Sequence, residues 1–355
     1  MHTRVHTVGH RQLDVRYVKL DQIGSGQFGV VYKAFDVDTG SFIAVKKTPR
    51  PNQDAGDERS YETLKREVEA LSRLGHRYII EFIASQGGNE LSLDILMRLA
   101  DGTLHSLVAT GEFSSHHSDL TNKFAHHTLQ ALDYLDIKGV VHRDTKPENI
   151  LYTRMSLPPH MLYQVGEFGL CNRTVSARTH VGTPLFAAPE LPKRQSHKMD
   201  VWSLFVTIAW TVDLNNFRQN SHQFSNVQEV HKQLSDVAPK MTNFSEMARL
   251  DLSKRASAAH MLVKCFNGVG LSTPRNQVPP LSSSKLEITD AELHWDPMEL
   301  DDPEPLVNDR AGPGIKWAPN DPTNPTPVRK SRRLQAQALK KDAMAAKSRF
   351  NPLYA

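Results

Sequence analysis

The sequence predicts an α+β fold: a small β-rich lobe, a larger helical lobe after it, and a disordered C-terminal tail. Three observations carry that prediction. Short runs rich in β-branched and aromatic residues, YVKLDQI, GVVYKAF and SFIAVKK, crowd the early part of the chain. Stretches with helical apolar periodicity follow, up to residue 267. From 268 to 355 the periodicity stops, and Pro, Asp, Ser and Asn dominate.

The 355 residues suffice for two or three domain-sized units, and with 39% hydrophobic and 23% charged residues the chain can bury a real core. Cys171 and Cys265 make neither a disulfide framework nor a zinc knuckle, which fits a reducing compartment. The opening MHTRVHTVGH has no apolar region of a secretory leader. The longest apolar run, VWSLFVTIAWTV at 201–212, is too short to span a bilayer and reads as a buried helix. The expectation is an intracellular protein, cytoplasmic and/or nuclear, with no membrane partner. A net charge of +4, unevenly placed, is no strong nucleic-acid signal.

Residues 1–16 are polar and give no clear element. From Tyr17 to about Gly88 the β-rich runs read as antiparallel hairpins, with DVDTG as the turn between the second and third. One helix interrupts them, ETLKREVEALSRLG, with Leu64, Val68, Leu71 and Leu74 on its apolar stripe. After Leu104 come KFAHHTLQALDYLDIKG, the buried 201–212 segment and ARLDLSKRASAAHMLVKCF, all read as helical. The tail 268–355 has an acidic half, EITDAELHWDPMELDDPEP, and a basic end containing RKSRR and KK. That end reads as a nuclear-import signal, an anionic-surface patch with weak nonspecific affinity for nucleic acid, or a solvated basic run. His2, His6 and His10 have helical spacing but no capped helix around them, so no metal site is expected there.

Four sets of residues carry chemistry. In IGSGQFGVV, Gly24, Gly26 and Gly29 form G-x-G-x-x-G with Val31 two places on. β-rich sequence follows, which points to a hairpin rather than a strand–helix turn. It is either a phosphate cover, where missing Cβ atoms permit close approach, or an ordinary Gly-rich turn. In FIAVKK, Phe42, Ala44 and Lys46 share one face of a strand, an arrangement that suits a flat base with phosphates beyond it, or simply a surface lysine. Glu67 lies beside the apolar stripe of its helix and needs a cationic partner, for which Lys46 is the candidate. In VVHRDTKPENIL, residues 140–151, His142, Arg143, Asp144, Lys146 and Asn149 match H-R-D-x-x-x-x-N. There Asp144 can accept a hydroxyl proton, Lys146 can steady a transferring phosphoryl group and Asn149 can hold a metal ion.

On these motifs, together with GTPLFAAPE and MDVWSL in order, residues 17–267 resemble a eukaryotic protein kinase domain of the serine/threonine branch. The resemblance implies a two-lobed protein kinase-like fold, with an N-lobe over about 17–99 and a C-lobe over about 100–267. It implies ATP between the lobes with Mg2+ (or Mn2+), and a protein hydroxyl as acceptor. Gly24, Gly26, Gly29 and Val31 would cover the nucleotide, with Ala44 and Val31 around the base. Met97 would sit at the back of the pocket, and Leu99 and Ala100 would offer hinge backbone to adenine. Lys46, held by Glu67, would contact phosphates, and Glu190 would pair with Arg255. Asp200 would brace the catalytic loop. Lys146-Pro147 and Gly182-Thr183 are what resemble the serine/threonine branch. Arg143 before Asp144 resembles members switched on by loop phosphorylation, with Thr179 as the residue an upstream kinase would modify.

Three positions depart from the family pattern: Thr145, Phe205 and Glu167. Glu167 stands in EFG where the family has an Asp that binds Mg2+. Its carboxylate has the same charge and the same hard oxygens but is longer by one C–C bond, about 1.5 Å. Misplacement near 1 Å costs roughly 100-fold in rate. Two readings stay open: an active, slow kinase, or a pseudokinase that binds nucleotide or acts as a scaffold.

Overall fold

A computed structural model describes residues 2–8, 11–26, 29–49, 68, 71–87, 92–113, 118–156, 159–168, 172–173, 184–190, 196–224 and 226–278. The chain divides into Met1–Ala291 and Glu292–Ala355, and every described residue belongs to the first unit. Glu67, Thr179, Gly182, Thr183, Cys171 and the tail beyond 278 lie outside the described residues.

The β-rich part is one antiparallel sheet of β1 (His2–Val8), β2 (Arg11–Gly26), β3 (Gly29–Asp36), β4 (Phe42–Pro49), β5 (Phe82–Gln86) and β6 (Ser92–Arg98). Its order is β1-β2-β3-β4-β6-β5. The first two strands correct the expectation that residues 1–16 form no element. β1 pairs with β2 from His2 opposite Tyr17 to Val8 opposite Arg11. In hindsight, Thr3, Val5 and Thr7 alternate with polar residues, a two-residue period that the polar composition conceals.

The DVDTG turn closes as its residues dictate. The Asp36 carboxylate accepts from Asp38 N at 3.0 Å and Thr39 N at 3.4 Å. Gly40, at φ 74°, then donates to Asp36 O. Alternation along β3 and β4 sends Ala34, Ile43 and Val45 to one side, where they pack with Tyr17, Ala84 and Leu96. Within this lobe the Tyr17 hydroxyl donates to Asp94 at 2.6 Å, and Lys47 approaches the same carboxylate at 3.2 Å. On the other side Val68, Leu93 and Ile95 cluster with Phe82 and Met97.

The helical part holds α1 (Leu104–Ala109), α2 (Ser118–Ile137), α3 (Lys198–Thr211), α4 (Val227–Val237) and α5 (Ala258–Phe266). β7 (Gly102–Thr103), just before α1, joins β9 (Ile150–Ser156) and β10 (Pro159–Val165) in one small sheet, and β8 (Val140–Val141) pairs with β11 (Asn172–Arg173). α3 is the predicted buried helix, its residues enclosed from Met199 through Ala209. Phe205 is 0% exposed there and fills core volume. Thr145 is also buried, and its hydroxyl finds no hydrogen-bond partner among the described residues.

The helix expected across ARLDLSKRASAAHMLVKCF is shorter than its periodicity suggests. α5 begins at Ala258, capped by Ser257, whose hydroxyl accepts from His260 N. Upstream, the Asp251 carboxylate accepts from both Ser253 N and Ser253 Oγ, a local alternative to helix that keeps this stretch irregular. A second difference concerns the start of the tail. Residues 268–278, placed in the disordered tail by composition, lie against α2. There the buried Asp133 accepts from the backbone of Ser272 and Thr273.

Candidate functional site

The candidate site gathers where β3, β4 and β6 face the loops after β8 and β10. Its upper wall follows from strand register. Ala44 lies opposite Met97, and Val31 opposite Lys46. Leu99 and Ala100 continue from β6 as half-buried, non-strand backbone. Val31 is half-buried and Ala44 buried, as a base-sized slot requires.

The glycines divide by physical role. Gly26 pairs with Gly29 at the tip of the β2–β3 hairpin. Gly29 sits at φ 126°, and a Cβ there would come within 2.1 Å of the Lys47 carbonyl oxygen. Only glycine fits, because β3 runs hard against the β4 backbone. A Cβ on Gly24 would meet nothing closer than Val31 Cβ at 3.7 Å. The fold therefore requires Gly29 but leaves the choice at Gly24 to what the loop covers.

Lys46 is buried, and its Nζ lies 2.5 Å from Glu167 Oε2, an ion pair whose side chains are 7% and 29% exposed. The contact spans 121 residues of sequence and joins β4 to the segment after β10. Glu167 adopts φ 57°, a left-handed backbone uncommon outside glycine. Its neighbours hold it there. Gly166 N donates to Asn149 O, and Gly166 O lies 2.9 Å from His142 Nε2. Phe168 is buried edge-on to the His142 ring at 4.9 Å. A Cβ on Gly166 would meet the Leu151 side chain at 2.7 Å, so this backbone runs close against β9.

That loop is rigidly braced. The Asp200 carboxylate, at the start of α3, accepts from His142 N at 2.8 Å and Arg143 N at 2.7 Å. Burial pushes the Asp200 carboxyl up from its ordinary value, opposed by His142 and by these two backbone donors. Arg143 itself is left-handed, at φ 73°. Asp144 receives Lys146 Nζ at 2.9 Å and Asn149 Nδ2 at 2.9 Å, and Asn149 Nδ2 also donates to Asp144 O at 2.7 Å. Thus Asp144, Lys146 and Asn149 form one constellation within the loop, while Lys46 and Glu167 form a second that joins β4 to the segment after β10.

Since the Asn149 nitrogen is engaged with Asp144, its oxygen is the atom suited to a cation. Among the described residues no cluster of three His, Cys, Asp or Glu could hold a metal alone. An amide oxygen and one carboxylate are instead a donor set for a cation that completes its shell with phosphates and water, as Mg2+ does. The donor set fits that ion.

Further out, Arg255 Nη1 and Nη2 donate to Glu190 Oε1 and Oε2 at 2.7 and 2.9 Å, the pairing the resemblance implied. Two supports escaped the sequence reading. Thr207 Oγ1 lies 3.5 Å from Thr145 O beneath the loop, and Gly166 is a close-approach glycine against β9. A glycine directly before EFG was the available signal for the second; nothing marked the first.

Residues 17–268 match the protein kinase domain family. The chain is similar to the MAP3K epsilon protein kinase 1 of Arabidopsis thaliana, 30% identical over 204 residues, which are 56% of this chain and 14% of the relative. It is similar to the CBL-interacting serine/threonine-protein kinase 15 of the same plant, 29% identical over 257 residues, 68% of this chain and 56% of the relative. It is also 32% identical over 200 residues to the serine/threonine-protein kinase fused of Drosophila melanogaster, 53% of this chain and 23% of that one. The chain thus spans less than two thirds of these relatives' lengths.

Proposed function

Because the chain belongs to the protein kinase family, we propose that it is a working serine/threonine protein kinase, slowed by Glu167, that moves the γ-phosphoryl group of ATP to a protein hydroxyl. The observation that carries this reading is the joint retention of Lys46, Asp144, Lys146 and Asn149 in one braced site, with the Glu167 carboxylate delivered to it. Val31, Ala44 and Met97 enclose adenine, and backbone groups of Leu99 and Ala100 pair with its edge. The strap of Gly24, Gly26 and Gly29 lies over the phosphates, which Lys46 contacts. Glu67 is the proposed second partner of Lys46.

In the transfer step the acceptor hydroxyl gives its proton to Asp144 as its oxygen bonds Pγ, the Pγ–O bond to the β-phosphate breaks, and ADP leaves. Lys146 balances charge on the moving phosphoryl group. Asn149 and Glu167 would hold Mg2+, which would supply charge neutralisation to the transfer. Thr179 is the proposed residue through which an upstream kinase orders the loop against Arg143. Cytoplasmic or nuclear residence, and weak nucleic-acid contact through the basic tail, belong to the same proposal.

A second reading is a pseudokinase that binds nucleotide or a partner without transfer. The Lys46–Glu167 pair favours it when seen from the other side, since each charge already satisfies the other at 2.5 Å. Transfer of labelled γ-phosphate by the purified chain tests both. The kinase reading requires transfer that Lys46→Met and Asp144→Asn abolish. Silence of the wild type toward itself and generic protein substrates would leave the binding module.

A further inference from the structure

The family match ends at residue 268, yet the chain stays docked on α2 as far as Thr273. This strap is attached to α2 by groups that have no part in the site above. Asp133 is 0% exposed and takes hydrogen bonds from Ser272 N at 2.7 Å, Thr273 N at 3.0 Å and Thr273 Oγ1 at 2.6 Å. Two turns earlier His126 Nε2 lies 3.1 Å from Val269 O, and Gln130 Nε2 lies 3.1 Å from His126 Nε2. Gly270, at φ 78°, passes so close to Gln130 that a Cβ would overlap its amide.

The same turns of α2 also carry the loop that leads into β5. Tyr78 lies beside Gln130 and stacks on His127 at 4.2 Å. His76 stacks on Tyr134 at 4.9 Å, and the Tyr134 hydroxyl accepts from Gly75 N at 3.1 Å. Residues 126, 130 and 133 therefore hold the strap, while 127, 130 and 134 hold the loop. Gln130 touches both, and helical spacing makes the two sets neighbours.

We propose that residues 268–278 form a charge-sensitive latch, keyed by Thr273, that couples this strap through α2 to the loop 74–80 leading into β5. Thr273 must donate its hydroxyl hydrogen to a carboxylate that has no route to water. An acceptor-only negative group on that oxygen faces Asp133 with like charge, so the docked strap and a charged Thr273 exclude each other. Release withdraws the partners of His126 and Asp133 and loosens Gln130 from Tyr78.

Hydrogen exchange of the full chain, followed by mass spectrometry, tests this with Thr273→Ser, Thr273→Val and Thr273→Glu. Thr273→Ser keeps the donor and should match wild type. Thr273→Val, which loses a bond to a charged acceptor, should speed exchange in 268–278 and in 74–80 by about tenfold. Thr273→Glu should speed both further, and α3 should stay protected in every variant. Faster exchange in the strap with none in 74–80 would overturn the coupling. A strap that stays protected in Thr273→Glu would overturn the latch.

Discussion

Removing the Glu190 carboxylate is the sharpest test of how the helical lobe is held together. The Arg255 side chain is 0% exposed and Glu190 is 10% exposed. Arg255 spends its donors on Glu190 Oε1 and Oε2, Arg249 O and Lys198 O. Its guanidinium also lies over the Trp202 ring at 5.1 Å. Glu190→Ala leaves the charge buried with two carbonyls and no counter-ion. Two charge-assisted bonds at about 1.5–3 kcal/mol each bracket the loss. Broken buried pairs cost about 3–5 kcal/mol, in agreement. At about 2–4 °C per kcal/mol for a domain of this size, the melting temperature should fall by roughly 6–20 °C. Glu190→Gln keeps an acceptor and should lose about half as much. A double change, Arg255→Met with Glu190→Leu, should recover part of the loss, since neither charge is then stranded. Urea denaturation of the four proteins gives the values. A Glu190→Ala cost under about 1 kcal/mol would refute the picture of a buried, uncompensated arginine.

Two further predictions use the same assay. Phe205→Ala opens a cavity in the middle of α3 and should cost about 3–5 kcal/mol, because Phe205 is 0% exposed and packed on all sides. His76 gives a pH dependence: burial lowers its folded-state value from 6.5 to about 4, with the Asp133 charge in partial opposition. Between those values the unfolded chain binds more protons than the folded one. Stability from neutral His76 is thus complete above about pH 6.5 and falls as pH drops toward about 4, by up to about 3 kcal/mol. The wild-type minus His76→Leu difference in stability should show that slope between pH 6.5 and 4, and a flat difference would contradict it.

How much was legible in the sequence depends on whether a position is set by local pattern or by distant partners. The strands around Ala44 and Lys46 and the buried helix at 201–212 follow from periodicity, and the structure has them. The catalytic loop was readable because its chemistry needs fixed residue types at fixed spacing. The strands within residues 2–16 were missed, since pairing of β1 on β2 is decided by backbone register rather than by apolar content. The short α5 was overestimated because Asp251 competes locally for backbone donors. The strap at 268–278 was assigned to disorder because its anchor, Asp133, lies about 140 residues away, and nothing in the local composition names it. The Lys46–Glu167 contact was also hidden: sequence showed a longer carboxylate but not that it reaches the lysine.

If Glu167 does the work of the shorter family residue, a Mg2+ titration of phosphoryl transfer shows it. Wild type, Glu167→Asp and Glu167→Gln would be compared at saturating ATP. The wild type should transfer measurably, Glu167→Asp should be faster, and Glu167→Gln should be slower than wild type by about 100-fold or more. A silent wild type beside an active Glu167→Asp, or a Glu167→Gln equal to wild type, would contradict it.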